Sequence, residues 1–174
     1  MARRAVFLDR DGVLNEPIIR NGRALAPLSM EQFRLVDGAA TDVKRLKAAG
    51  LLCIVVTNQP EIASGQLSSA ALEAMHSHLK EQLNIEDIFV CGHGSEEGCV
   101  CRKPGPGMIH QAANLRSIDL GSSFLVGDRW RDIDAGRAVG CYTVLIERAY
   151  SECASADARV GSLTEAVDVI LERL

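Results

Sequence analysis

Short apolar runs rich in branched residues recur along the chain at Ala5 to Leu8, Leu51 to Val56, Ile88 to Val90, Phe124 to Val126 and Thr143 to Ile146. None shows the polar alternation of a half-solvated strand, so each reads as a short strand covered on both faces. Between them the apolar residues fall at helical spacing. Ala39, Val43, Leu46 and Ala49 stop at Gly50; Leu72, Met75, His76, Leu79 and Leu83 follow the capping candidates Ser68 and Ser69. Met108 to Leu115 and Trp130 to Val139 form two more segments, the second stopped by Gly140. Ser162-Leu163-Thr164-Glu165 has the form of a capping box ahead of the stripe Leu163, Val167, Ile170, Leu171 and Leu174. This alternation predicts the α/β class, a parallel sheet with helices on both faces. With 174 residues and 47% hydrophobic content, the chain is expected to form a single domain over residues 1–174.

In an open parallel sheet, ligands bind in the crevice beyond the carboxyl ends of the strands. Asp9-Arg10-Asp11-Gly12 lies there, directly behind the first run. Alternation by two places both carboxylates together, Gly12 permits a sharp turn, and two nearby carboxylates call for a cation or a shared proton. A calcium loop fits poorly, because Arg20 stands where that loop needs its twelfth-position Glu and a strand precedes the motif. The second run leads into Thr57-Asn58-Gln59, whose hydroxyl and backbone donors suit phosphate oxygens, although Thr57 equally suits a helix or turn cap. The fourth leads into Gly127-Asp128-Arg129-Trp130-Arg131-Asp132, another carboxylate at the same edge. Lys103, in Cys101-Arg102-Lys103-Pro104, adds a positive charge before the next helix. Together these stretches predict one pocket for an anion and a metal.

A formal charge of -4 and 4% aromatic residues argue against a broad nucleic-acid surface. Arg3-Arg4 is followed by only a short apolar run, so neither a secretory signal nor a membrane span is expected, and the location expected is cytoplasmic. Six cysteines in a reducing compartment direct attention to metal binding. Cys91-Gly92-His93 and Cys99-Val100-Cys101 offer three thiols and an imidazole within a short loop at about 91–101. Such a set suits a closed, structural, tetrahedral Zn2+ better than buried free thiols. Zinc there would fix the loop that carries Arg102 and Lys103. Cys53 and Cys141 read as packed residues, and Cys153 is unassigned. His76 reads as the margin of a core, His78 as facing solvent, and neither these nor His110 has a recognisable acid-base partner.

Asp-x-Asp-Gly, Thr-Asn-Gln, Arg-Lys-Pro and Gly-Asp-x-x-x-Asp, in this order and each at a strand or loop boundary, resemble the haloacid dehalogenase superfamily of phosphatases over about Val6 to Ile146. The resemblance implies a Rossmann-like three-layer α/β/α sandwich around a central parallel sheet, without a large cap domain. It implies Asp9 as the nucleophile that becomes an aspartyl phosphate, and Asp11 as the general acid and base. Mg2+ would be held by the side chains of Asp9 and Asp128 and the backbone carbonyl of Asp11. Thr57, Asn58, Gln59 and Lys103 would hold phosphoryl oxygens, Arg102 would contact the rest of the substrate, and Asp132 would support Lys103 or a metal-bound water. Arg10 would brace the loop or lie in solvent.

Within the superfamily, the Cys-x-His then Cys-x-Cys loop is similar to a branch containing D-glycero-D-manno-heptose 1,7-bisphosphate phosphatases and histidinol-phosphate phosphatases. Gly94, Pro106-Gly107-Met108 and Asp132-Ile133-Asp134-Ala135-Gly136 resemble the heptose enzymes more closely. The expected reaction is removal of the 7-phosphate of the heptose bisphosphate; histidinol phosphate or another small sugar phosphate is the alternative. A polynucleotide 3'-phosphatase or an inactive zinc-stabilised interaction module fits less well. The expected partner is a small phosphorylated metabolite, with no nucleic acid or membrane, and the expected state is a monomer. Loops at residues 15 to 29, 59 to 66 and 92 to 103 would select the substrate. One of them departs from the resemblance: many heptose enzymes continue Thr-Asn-Gln with Ser-Gly-Ile-Ala-Arg-Gly, whereas this chain has Pro60-Glu61-Ile62-Ala63-Ser64-Gly65.

Overall fold

A computed structural model describes residues 3–174. A sheet of six parallel strands runs through the molecule in the order β5-β4-β1-β6-β7-β8. Its strands are β1 (Ala5–Leu8), β4 (Leu52–Asn58), β5 (Asp87–Cys91), β6 (Phe124–Gly127), β7 (Tyr142–Ile146) and β8 (Ala158–Val160). β2 (Ile18–Arg20) and β3 (Arg23–Leu25) form a separate antiparallel hairpin. The helices are α1 (Ala39–Ala48), α2 (Ser69–Leu83), α3 (Gly107–Arg116), α4 (Trp130–Ala138) and α5 (Leu163–Leu171).

β1 lies between β4 and β6 and all four of its residues are buried, which accounts for the unbroken apolar run. The strand pleat then sorts alternate residues to opposite layers. Val6, Leu8, Cys53 and Val55 pack with Val43 and Leu46 of α1, Met75 and Leu79 of α2, and Val167 and Ile170 of α5. Ala5, Phe7, Ile54 and Val56 pack with Met108 and Ile109 of α3 and Ala135 of α4. The three-layer α/β/α arrangement expected from the alternation is therefore the one observed. Local signals hold as well: Ser68 Oγ accepts from Ala71 N at the start of α2, and Ser162 Oγ accepts from Glu165 N at the start of α5.

Several boundaries differ from the sequence expectation. β4 continues through Thr57 and Asn58, and β5 takes in Cys91, which is a buried strand residue instead of part of an irregular loop. β8 and the β2–β3 hairpin were not expected. Each strand has only three residues, too few for a periodic signal, but Asn21-Gly22, both at positive φ, is a hairpin turn signature. His78, expected toward solvent, is half-buried and meets the Phe33 ring edge-on at 6.2 Å between centroids.

Candidate active site

The ends of β1 and β6 and the loop between β5 and α3 bring Asp9, Asp128 and Lys103 to one cavity, which Asp11, Asn58 and Asp132 also line. Lys103 is almost fully buried. Its Nζ donates to Asp9 Oδ1 at 2.8 Å and to the Val56 carbonyl at 2.7 Å, and pairs with Asp132 Oδ1 at 2.6 Å. Burial alone would lower the lysine's pKa, but the carboxylates of Asp132 and Asp9 outweigh it and raise the value. Its backbone is clasped by Asn58, whose Oδ1 accepts from Lys103 N at 3.0 Å while Nδ2 donates to Lys103 O at 3.1 Å. Asn58 thus ties the Arg-Lys-Pro loop to the end of β4.

Asp9, Asp128 and Asp132 bring carboxylate oxygens within 4.8 Å of one another. Burial and the nearby Asp132 push the Asp9 carboxyl up to about 6 against the pull of Lys103. Burial, Asp9 and Asp132 push Asp128 up to about 8, although a hydrogen bond from Tyr150 opposes the shift. Asp128 Oδ2 accepts from the Tyr150 hydroxyl at 2.7 Å, whereas its Oδ1 is buried with no protein partner. An unmatched oxygen in a carboxylate cluster that holds one lysine fits a hard divalent cation. Two glycines let the cluster close. A Cβ on Gly12 (φ +90°) would lie 2.1 Å from Asp128 Oδ2, and one on Gly127 would lie 2.1 Å from Asp132 Cβ.

Asp11 stands beside this cluster with its carboxylate held by Arg10, by Asn15 Nδ2 at 2.9 Å and by Gln59 Nε2 at 2.7 Å. Arg10 is fully buried and braces the loop from behind. Its guanidinium also donates to Gln59 Oε1 at 3.0 Å, meets His76 Nε2 at 3.1 Å and lies over the Phe33 ring. His76 therefore has a polar partner that its sequence context did not reveal. Burial, with the charge of Arg10, lowers its pKa to about 4.

The structure alters one expectation about substrate contact. The Gln59 side chain is fully buried, bonded to Asp11, Arg10 and Thr57, and does not line the cavity. Thr57 is also buried at the strand end, its hydroxyl accepting from Gln59 Nε2 at 2.9 Å. Arg102 does line the cavity, its Nη1 donating to the His93 carbonyl at 3.0 Å.

The cavity is bordered by parts of all three expected loops: Pro17 and Leu25 from the first, Pro60 and Glu61 from the second, and Arg102 from the third. Sequence reasoning missed Arg129, Arg131, Tyr150 and Ser151. Arg129 and Arg131 line the cavity, and Arg129 Nη2 donates to Ala24 O at 2.9 Å, tying the end of the hairpin to the start of α4. Ser151 Oγ donates to the Asp128 carbonyl at 2.6 Å. The signal available was position: Tyr150 and Ser151 follow β7 at the same sheet edge as the quoted motifs.

A second cluster lies alongside. Cys91, His93, Cys99 and Cys101 converge, with Cys91 Sγ 3.4 Å from His93 Nδ1 and 3.5 Å from Cys99 Sγ, and Cys101 Sγ 3.2 Å from His93 Nδ1. The three cysteines are free thiols, and together with the imidazole the four donor atoms fit a tetrahedral metal set. Cys53 and Cys141 are buried as expected, and Cys153 is exposed. Among the described residues, no helix is long and apolar enough to cross a membrane.

Residues 100–170 match the family model of HAD-hydrolase-like proteins. The chain is 36% identical over 155 residues to the D-glycero-beta-D-manno-heptose-1,7-bisphosphate 7-phosphatase of Pseudomonas aeruginosa, covering 84% of this chain and 83% of that one. It is 35% identical over 168 residues to the D-glycero-D-manno-heptose-1,7-bisphosphate 7-phosphatase of Thermosynechococcus vestitus, covering 87% and 83% respectively. In structure it resembles the D,D-heptose 1,7-bisphosphate phosphatase of B. bronchiseptica, solved with magnesium and phosphate, at a TM-score of 0.84 and 28% identity over 98% of this chain and 99% of that one.

Proposed function

The chain belongs to the haloacid dehalogenase-like phosphatases, and we propose that it removes the 7-phosphate of D-glycero-D-manno-heptose 1,7-bisphosphate through an aspartyl-phosphate intermediate. The observation that carries the reading is the convergence of Asp9, Lys103 and Asp128, with the unmatched Asp128 Oδ1, in one cavity. The named activity of the relatives supplies the substrate.

Mg2+ would be held by Asp9, Asp128 and the Asp11 carbonyl, and when bound it would offset the repulsion between the anionic carboxylate and the anionic phosphate. Asp9 attacks phosphorus while Lys103, fixed by Asp132, Val56 and Asn58, holds it oriented and cancels part of its charge. Lys103 and backbone donors near Asn58 take the phosphoryl oxygens, while Thr57, which like Gln59 is buried and does not line the cavity, accepts from Gln59 through its hydroxyl. Asp11 gives a proton to the leaving sugar oxygen. Its carboxylate is held by Arg10, Asn15 and Gln59, so for the acid step it turns from them toward the substrate. Restored to those donors, the ionised carboxylate takes a proton from the water that hydrolyses the intermediate.

Cys91, His93, Cys99 and Cys101 would hold a structural Zn2+ that fixes the loop leading to Arg102 and Lys103. Arg102, tethered to His93 O, faces the non-reacting part of the substrate. The substrate is a small phosphorylated metabolite, with no nucleic acid or membrane as partner, and the enzyme acts as a cytoplasmic monomer of one catalytic domain. The direct test is 31P NMR of the heptose bisphosphate with enzyme. The expected result is loss of the 7-phosphate signal, retention of the 1-phosphate, dependence on Mg2+ and no reaction with Asp9→Asn; loss of the 1-phosphate first would contradict the assignment.

A further inference from the structure

Glu61 lines the same cavity as Asp9 and Asp11, yet its carboxylate has no hydrogen bond or ion pair with any described residue. Its Oε2 is buried without a protein partner. A buried carboxylate oxygen without a donor is costly and calls for one from elsewhere.

The turn that presents it is well ordered by its own bonds. The Ile62 amide donates to Gln59 O at 3.2 Å, Ser64 N to Pro60 O at 3.1 Å, and Leu67 N to the Glu61 carbonyl at 3.0 Å. On one side of Glu61 stands the fully buried Gln59; on the other, Ile62 packs against the core and would meet a Cβ on Gly92 at 3.4 Å. The backbone that carries Glu61 is consequently held at the cavity wall. The cationic groups bordering the cavity are committed to other partners. Arg102 is bonded to His93 O and Lys103 to Asp9 and Asp132; Arg129 is bonded to Ala24 O and lies over Tyr150, while Arg131 lies over Trp130.

We propose that Glu61 is a specificity-determining residue that accepts a hydrogen bond from a hydroxyl of the leaving group, so that the enzyme selects phosphomonoesters of polyhydroxylated alcohols. This rests on the phosphatase reading above and adds to it a residue that reads the organic part of the ester. A hydroxyl is the donor that fits. It satisfies Oε2 without bringing a further charge into a cavity already lined by both carboxylates and guanidinium groups. An ester without donors leaves the buried oxygen unmatched, and unmatched polar groups in a site discriminate more strongly than a missing methylene.

The test compares kcat/KM for three small esters of similar length: glycerol 1-phosphate, O-phosphoethanolamine and n-propyl phosphate. Wild type should prefer glycerol 1-phosphate to propyl phosphate. Glu61→Leu should lower that ratio by about tenfold or more, the loss expected for a hydrogen bond to a charged group. Glu61→Gln, which keeps an acceptor oxygen, should recover part of it. A ratio unchanged in Glu61→Leu, or a wild-type preference for the ammonium ester over the glycerol ester, would overturn the proposal. Turnover of propyl phosphate that survives Asp9→Asn would instead overturn the phosphatase site on which it rests, so the two failures are distinct.

Discussion

Lys103 and Asp9 stand 94 residues apart in the chain, yet Lys103 Nζ donates to Asp9 Oδ1 at 2.8 Å. The contact depends on order in the sheet. β1 lies beside β4, Asn58 at the end of β4 clasps the Lys103 backbone, and the Val56 carbonyl receives the ammonium. The pair is therefore a product of the fold and a requirement of the proposed chemistry.

Asp132 is the second carboxylate on Lys103, and its Oδ2 also accepts from Arg129 N at the start of α4. Asp132→Asn leaves Lys103 with one anion and weakens a buried charge network. The expected cost is about 2 kcal/mol in urea unfolding, below the full loss of a buried pair because Asp9 remains. kcat should fall by at least about tenfold as Lys103 loses its fixed position.

Tyr150→Phe removes the hydrogen bond to Asp128 Oδ2 while leaving the ring in place. The half-saturating Mg2+ concentration for turnover should rise by about tenfold, as expected when a partner that orients a metal ligand is lost. kcat at saturating Mg2+ should change much less. An Mg2+ dependence identical to wild type would show that the hydroxyl does not orient a ligand.

Cys101 lies in the thiol cluster and two residues before Lys103. Cys101→Ser should lower bound zinc, measured by elemental analysis, and reduce stability by about 3 kcal/mol or more because metal affinity is folding free energy. Activity should fall with it, since the loop carries Arg102 and Lys103. Full zinc occupancy in this variant would exclude Cys101 as a ligand.

His76 titrates near 4 in the fold, below the usual histidine value, because of burial and Arg10. Its depressed pKa means that the unfolded chain takes up a proton near pH 6.5 before the folded protein does near pH 4. The contribution is complete above about pH 6.5 and is lost as pH falls through about 4. Allowing for the partial exposure of the ring, it amounts to on the order of 2 kcal/mol. Urea unfolding at pH 7 and pH 4.5 should show this loss in wild type and a smaller one in His76→Gln.

The sheet was legible because its central strands are buried on both faces and carry continuous apolar runs, as in Ala5 to Leu8. β8 was not, because three edge residues carry too little pattern, and the β2–β3 hairpin was marked only by Asn21-Gly22. That Asp9, Asp11 and Asp128 meet in one cavity could be read from local sequence, because each follows closely on a strand end. Tyr150 could not, since its partner Asp128 is reached only after β7 and the following loop fold back. Gln59 was legible as a polar residue at a strand end but not as a buried one, because its burial depends on Arg10 and Asp11 arriving from β1. Arg10 and His76 have the same character: two residues 66 positions apart, joined only in the folded chain.

The central claim is that Asp9 carries the phosphoryl group. Its most direct test is to mix the unmodified enzyme with heptose bisphosphate and Mg2+, quench in acid within the first turnover and locate the adduct by peptide mass spectrometry. The expected result is one phosphoryl group on the peptide containing Asp9, absent without Mg2+ and absent in Asp9→Asn. A phosphoryl group on another residue, or phosphate release that persists in Asp9→Asn, would contradict the account.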